Sequence, residues 1–361
     1  MKRAKSTRAP HPNKRGKSVD GPHGRWDLPA VTLTSYNLET RGKYGFIGDQ
    51  ASGRAFRKRL AALGKFARAG QMAAEGSIPT PRTTKKRLDA ILSKGEPIAG
   101  AVVHSAVEEF AQSLAEVIRR YLKQKSWRKV TRIVVGGGLS DSRVGELAIG
   151  RAAILLRSAG IKVDVLPIDH HPDEAGLIGA AYLVPTGILE GFDALLAVDI
   201  GGTNLRCGIV RFKAGAKGRL LEARVEESAL WRHRDDRPTR DQLVKRLVAM
   251  LKRLEKAAKK AGLKLAPVIG VGCPGIINPD GTIKRGTQNL PGDWQGKGFN
   301  LALALKAHRP RIAGHETLVV LHNDAVAQGL SHLPKMQDVG HWGALTIGTG
   351  LGNASFRNPA G

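Results

Sequence analysis

The run Leu195-Leu196-Ala197-Val198-Asp199-Ile200-Gly201-Gly202-Thr203-Asn204 restricts the fold more than any other stretch of this chain. An apolar, β-rich run delivers a carboxylate to its end, and two glycines follow whose bare backbone can close its amides around an anion. Thr203 and Asn204 add neutral hydrogen-bonding groups. Asp199 has the wrong sign to touch phosphate and suits a hydrated Mg²⁺ beside it, held through water. The same letters also describe a plain strand end closed by a turn.

With 361 residues the chain can bury at least one full core, and its length favours two lobes over one. No apolar stretch approaches the roughly 20 residues of a bilayer span, and the first residues carry charge without an apolar signal core. The expectation is a soluble, cytoplasmic protein. Cys207 and Cys273 are the only cysteines, so a disulfide framework and a Cys-rich zinc site are both excluded, and buried reduced thiols are expected.

Lys and Arg number 58 against 31 Asp and Glu, a net charge of +27 that favours acidic ligands, nucleic acid or anionic surfaces. Residues 1–25 contribute part of it, eight Lys and Arg among Pro, Gly and Ser, with Asp20 their only acid. Such a segment cannot bury apolar area and reads as a disordered tail. It is either simply solvated or a weak contact for nucleic acid or an anionic surface; aromatic interleaving and a recognisable reading module are both missing.

Residues 26–60 show little clear pattern. Helical but basic periodicity runs from Arg57 to Leu63 and from Thr83 to Leu92. A clearer helix places Val107, Phe110, Ala111, Leu114, Val117, Ile118 and Tyr121 on one face. A strand at Thr131–Val135 enters Gly136-Gly137-Gly138, a helix spans about Arg143–Ala159, and a strand follows at Lys162–Leu166. Asp169–Leu183 reads as a closely packed helix. The Asp199 strand continues into Arg206–Phe212 as a hairpin, and Leu243, Leu247, Leu251 and Leu254 mark a long amphipathic helix. Strands at Val268–Gly272, Leu318–Leu321 and Ala344–Ile347 complete an α/β pattern with a mixed sheet at the start of the second lobe.

Three glycine-rich turns follow buried strands, at 136–138, 201–202 and 348–352, and one polyanion with several phosphates is their economical common partner. Gly270-Val271-Gly272-Cys273-Pro274-Gly275 spells the dinucleotide fingerprint, but Pro274 and the turn at 278–281 replace the helix that the fingerprint must open. Asp324, beside Asn323 at the end of an apolar strand, is the best placed carboxylate to accept a proton from an attacking hydroxyl. It could equally cap the helix starting at Ala325. Asp169-His170-His171-Pro172-Asp173-Glu174 reads either as a metal cluster or as a polar helix entry.

Together these residues resemble the ROK family of sugar kinases and sugar-responsive repressors, within the hexokinase and actin-like ATPase class. Asp199–Arg206 is similar to its first phosphate motif, Gly270–Gly275 to its GVGCPG-type segment, and Asn289-Leu290-Pro291-Gly292 with Trp294 to its sugar loop. Asn323-Asp324-Ala325 resembles the catalytic segment and Gly348–Gly352 the second phosphate motif. Gly136–Leu139 and Asp173–Ala181 resemble the family's adenosine-side ending, as Gly95–Ile118 and 51–55 resemble its late segments. Here all of these precede the Asp199 strand. The order therefore reads as a circular permutation, tolerable where old termini lie close and the new break falls in a surface connection. Residues 26–185 correspond to the adenosine-side lobe and 190–361 to the phosphate and sugar lobe. The family's Cys-rich zinc loop and its sugar-binding histidine have no counterpart before Ala51, so structural zinc is not expected; Asp49 is a candidate to substitute for one missing sugar acid.

The resemblance implies a two-lobed actin-like ATPase fold, ribonuclease H-like, that closes on ATP, Mg²⁺ and a hexose and excludes competing water. Asp324 would take the proton of a sugar hydroxyl, that on C6, and Asp199 would orient the metal. Gly201, Gly202, Thr203, Asn204, Gly348, Thr349 and Gly350 would cradle phosphates. Gly137 and Gly138 would lie against adenosine, and Asn289 and Asn323 would hold sugar hydroxyls. The rivals are a sugar-sensing DNA-binding regulator, for which residues 1–100 show no convincing helix-turn-helix, and a nucleotide- or sugar-binding protein without turnover. Assembly into a homo-oligomer is left open.

Overall fold

The computed structural model describes residues 22–42, 45–70, 76–215 and 220–359, so the basic tail lies outside them except for its last four residues. The described chain is α/β with mixed sheets and divides into two units. One unit is Leu38–Pro172 with His341–Gly352; the other is residues 22–37, Asp173–Gly340 and 353–359. The sequence puts the lobe boundary at 185–190, whereas the units part at Pro172 and Asp173, and His341–Gly352 joins the first.

In the first unit the strands His341–Ile347, Arg132–Gly136 and Asp164–Pro167 lie parallel in that order. Arg132–Gly136 and His341–Ile347 are largely buried, as inner strands covered by helices require, whereas Asp164–Pro167 is an edge strand with only Val165 buried. The helix Pro97–Leu122 is longer than the expected periodicity and buries every residue of the predicted face, from Val107 through Phe110 and Leu114 to Tyr121. It packs beside Arg143–Ser158, Gly53–Ala69 and Lys85–Lys94. Trp127 is wholly buried against Tyr121, with ring centroids 5.2 Å apart. Gly343 makes room for that indole, because a Cβ there would meet it at 2.5 Å.

In the second unit Leu318–Asn323, Leu265–Cys273 and Ala194–Ile200 run parallel, and Leu205–Ala214 and Leu220–Trp231 extend the sheet antiparallel. All seven residues of Ala194–Ile200 are buried. The helix Arg240–Lys260 starts at a Thr239–Gln242 capping box and buries Leu243, Leu247, Leu251 and Leu254, as their spacing predicts. No helix opens at Cys273-Pro274-Gly275; a short antiparallel pair, Ile276–Ile277 with Ile283–Arg285, follows instead.

Residues 26–37, the first part of the stretch 26–60 that shows little clear pattern, are ordered by distant partners, and so are 22–25, which the sequence places in the disordered tail. Thr32–Tyr36 pairs antiparallel with the end of Leu351–Arg357, and Ser35 Oγ lies 2.9 Å from Ser355 Oγ. Upstream, Gly24 N–H donates to Leu321 O at 2.9 Å, and Leu321 N–H donates to His23 Nδ1 at 3.2 Å. The residues before Thr32 thus lie along the outer edge of the Leu318–Asn323 strand.

Candidate active site

Three parallel strands of the second unit end at one place. Their register sets Asp199 opposite Gly272, and Cys273 opposite Asn323, the residue before Asp324. A Cβ on Gly272 would stand 3.1 Å from Ala327 Cβ, 3.6 Å from Asp324 Cα and 3.7 Å from Asp199 Oδ1, so both acids lie close against this glycine. Strand ends of this kind are where open α/β sheets place ligands.

Burial and the neighbouring Asp199 charge raise the Asp324 carboxyl to about 7, against backbone donors that favour its ionised form. Asp199 is also pushed up, first by burial, while Arg206 pulls it down and Asp173 adds to the rise. Arg206 Nη1 donates to Asp199 Oδ2 at 3.1 Å, and its Nε donates to Asp173 Oδ1 at 2.7 Å. Asp199 and Arg206 are partners across the hairpin, so counting residues around the Gly201-Gly202 turn could have found this pair. Asp173, which the sequence marks only as part of the Asp169–Glu174 cluster, lies instead on Arg206. Its helix, Pro172–Ala181, approaches so closely that a Cβ on Gly176 would meet Asp199 Cγ at 2.5 Å.

Asn323 caps the helix Asp324–Leu330: its Oδ1 accepts from Ala325 N–H at 3.0 Å, while its Nδ2 donates to Gly275 O at 2.9 Å. Asp324 Oδ1 shares the Ala325 N–H at 3.0 Å. The two side chains share the cap, and neither bond uses Asp324 Oδ2. Asn323 keeps a second Nδ2 proton for a ligand. Asn289 is exposed on a turn, its Cβ 2.7 Å from where a side chain on Gly202 would begin. In the adjoining loop Gly201 N–H donates to Asn204 O, Thr203 O accepts from Arg234 N–H, and Asn204 Oδ1 is buried without a partner. Buried His233, which no sequence signal marks, reaches Gly201 O with Nε2 at 2.8 Å.

The first unit brings two glycine turns together. A Cβ on Gly137, at φ +96°, would lie 2.5 Å from Ile347 O, and so Gly137 packs directly on the strand that ends at Gly348. Gly53 N–H donates to Gly348 O at 2.9 Å, setting the start of the Gly53–Ala69 helix on the same turn. Gly138 and Gly350 face open space, and Gly348, Thr349 and Gly350 are half-buried. Asp49 is exposed in a short helical turn, Ile47–Ala51, of this unit. His171 lies 3.5 Å from Asp141, and no group of three or more His, Cys, Asp or Glu with metal-binding geometry occurs among the described residues.

The donor set suits Mg²⁺ bound through water. Arg206 takes Asp199 Oδ2 and leaves Oδ1 beside Gly272, with a second carboxylate nearby, and a hard cation that keeps its waters needs no more protein ligands than this. Both thiols are buried, and burial raises Cys207 and Cys273 far above an ordinary thiol, with Asp199 adding to both and Asp324 to Cys273. No helix among the described residues is long and apolar enough to cross a membrane.

No protein-family model and no curated protein matches this chain. Among solved structures it is similar to a protein from Listeria monocytogenes assigned as an N-acetylmannosamine kinase, with 27% identity over 46% of this chain and 47% of that one, at a TM-score of 0.30. A protein from Cytophaga hutchinsonii assigned as a sugar kinase shares 18% identity over 46% of this chain and 48% of its own, at 0.31. A Ppx/GppA family member from Aquifex aeolicus shares 17% over 47% of this chain and 51% of its own, at 0.22. The chain thus spans about half the length of each of these three structures.

Proposed function

We propose that this protein is an ATP-dependent sugar kinase of the ROK type with a circularly permuted order of segments. The observation that carries the reading is the placing of Asp199 and Asp324 at the ends of the two parallel strands that flank Leu265–Cys273, one acid held by a guanidinium and the other without a cationic partner and raised to about 7. A carboxyl near neutrality can accept a hydroxyl proton as that hydroxyl attacks, and phosphoryl transfer asks little else of a protein than alignment and charge stabilisation.

Asp324 would receive the proton from a hexose hydroxyl, that on C6. Asn323 and Asn289 would hold other hydroxyls of the sugar. Asp199, fixed by Arg206, would orient a hydrated Mg²⁺, whose charge offsets that of the phosphates. The Gly201–Asn204 loop would offer backbone amides to phosphate. In the first unit Gly348, Thr349 and Gly350 would do the same, and Gly137 and Gly138 would lie along adenosine.

Coupled ADP release over a panel of hexoses with Mg²⁺ tests the reading. Release that depends on one sugar and disappears in Asp324→Asn supports it. Activity that survives the substitution removes the assigned base, and a protein that turns over no sugar is left as a binding protein.

A further inference from the structure

We propose that His322 is a positioning residue for the Asn323-Asp324 pair, wired from behind by the backbone of Arg25; this rests on the kinase reading for its kinetic consequence. Asn323 N–H donates to His322 Nδ1 at 2.7 Å. An imidazole nitrogen that accepts carries no proton, so the proton is on Nε2, which donates to Arg25 O at 2.9 Å. The two contacts together select one tautomer and one ring orientation. Tyr36 packs on the ring edge-on, with centroids 5.1 Å apart, and Trp26 packs on Tyr36. Tyr36 Oη in turn donates to Ile277 O.

The consequence falls on the residues that follow. Asn323 is tied at three points: its N–H to His322, its Oδ1 to Ala325 and its Nδ2 to Gly275. This fixes the plane of the peptide entering Asn323, one residue before Asp324, and the first turn of the helix. A ring that is 1% exposed and held neutral by burial keeps this arrangement over the working pH range. Misplacement of a reacting group by about 1 Å can cost about 100-fold in rate, so a side chain that touches no substrate can still set turnover.

The test compares His322→Phe, which fills the space but offers neither contact, with His322→Asn, whose Oδ1 can accept where Nδ1 did. Melting curves establish that each variant is folded. The Phe variant is expected to lose about tenfold or more in kcat, raise KM for the sugar and leave KM for the nucleotide unchanged, with the Asn variant recovering most of the loss. Hydrogen exchange at the Asn323 amide is expected to quicken in the Phe variant and return in the Asn variant, a readout independent of turnover. Should the Phe variant fail to fold, His322→Gln, which keeps a donor towards Arg25 but loses the acceptor beside Asn323, takes its place. Equal kinetics and equal Asn323 protection in all forms would overturn the proposal. If the unaltered protein phosphorylates no sugar, the kinase reading fails by itself, and Asn323 protection alone decides whether His322 holds the segment.

Discussion

Asp199 and Arg206 face each other across the hairpin, the guanidinium nitrogen 3.1 Å from a carboxylate oxygen on side chains only 2% and 12% exposed. The pair gives an inward-facing acid a fixed orientation. It also makes that acid dependent on a single cation, since Asp173, the second carboxylate on Arg206, is 42% exposed and largely solvated.

Removing the cation should therefore be costly. Arg206→Met is expected to lose about 3–5 kcal/mol of unfolding free energy, because a buried carboxylate is left unpaired. Arg206→Met combined with Asp199→Asn should recover much of this, while Asp173→Asn alone should cost little. Urea unfolding of the four forms checks the prediction, and a loss below about 1 kcal/mol in Arg206→Met would mean that water already solvates the pair.

Asp324 should make stability and rate respond to pH in opposite directions. Its folded carboxyl titrates at about 7 against an ordinary 3.8, so the unfolded chain loses the proton first. Ionising the folded group then costs stability, progressively from about pH 4 to about 7 and fully above. Asp324→Asn is expected to melt higher than the unaltered protein at pH 8 and to match it near pH 4. The rate should rise with pH through about 7 as the base ionises, which a kcat profile measures.

Neighbouring glycines should differ sharply. Gly137→Ala forces a side chain into a φ of +96° and to within 2.5 Å of Ile347 O, a strain of about 1–3 kcal/mol. Gly138→Ala meets nothing within 4 Å and should leave the melting temperature unchanged. Thermal melts of the two variants give the comparison.

Cys207 and Cys273 should resist modification. Both are fully buried and their thiols are raised by burial, so a thiol reagent should label neither until the protein is unfolded. Titration with a chromogenic disulfide, with and without denaturant, reads this directly.

The parts legible in the sequence are those in which local pattern and tertiary demand agree. Ala194–Ile200 is buried along its whole length and reads as an apolar run; the Arg240–Lys260 helix repeats leucine at helical spacing because one face meets the sheet. Leu220–Trp231 shows the opposite case. It is an edge strand with no fully buried residue, and its Glu and Arg side chains mask the alternation that would reveal it. Residues 22–37 take their form from Leu321, Ser355 and Ile277, some 240 or more positions away, so no window of sequence can show it. Among site residues, Asp199 and Asp324 stand out because acids at the ends of apolar runs are conspicuous. His322 and His233 do not, and Asp173 stands out only as part of a polar cluster, since their partners exist only once the strands and helices have packed.

The central claim is tested most directly by following the γ-phosphoryl group of labelled ATP in the presence of Mg²⁺ and a series of hexoses. The account predicts a labelled sugar phosphate, esterified at the C6 hydroxyl, formed by the unaltered protein and absent with Asp324→Asn. Label recovered only as inorganic phosphate, or sugar phosphate formed equally by the variant, would contradict it.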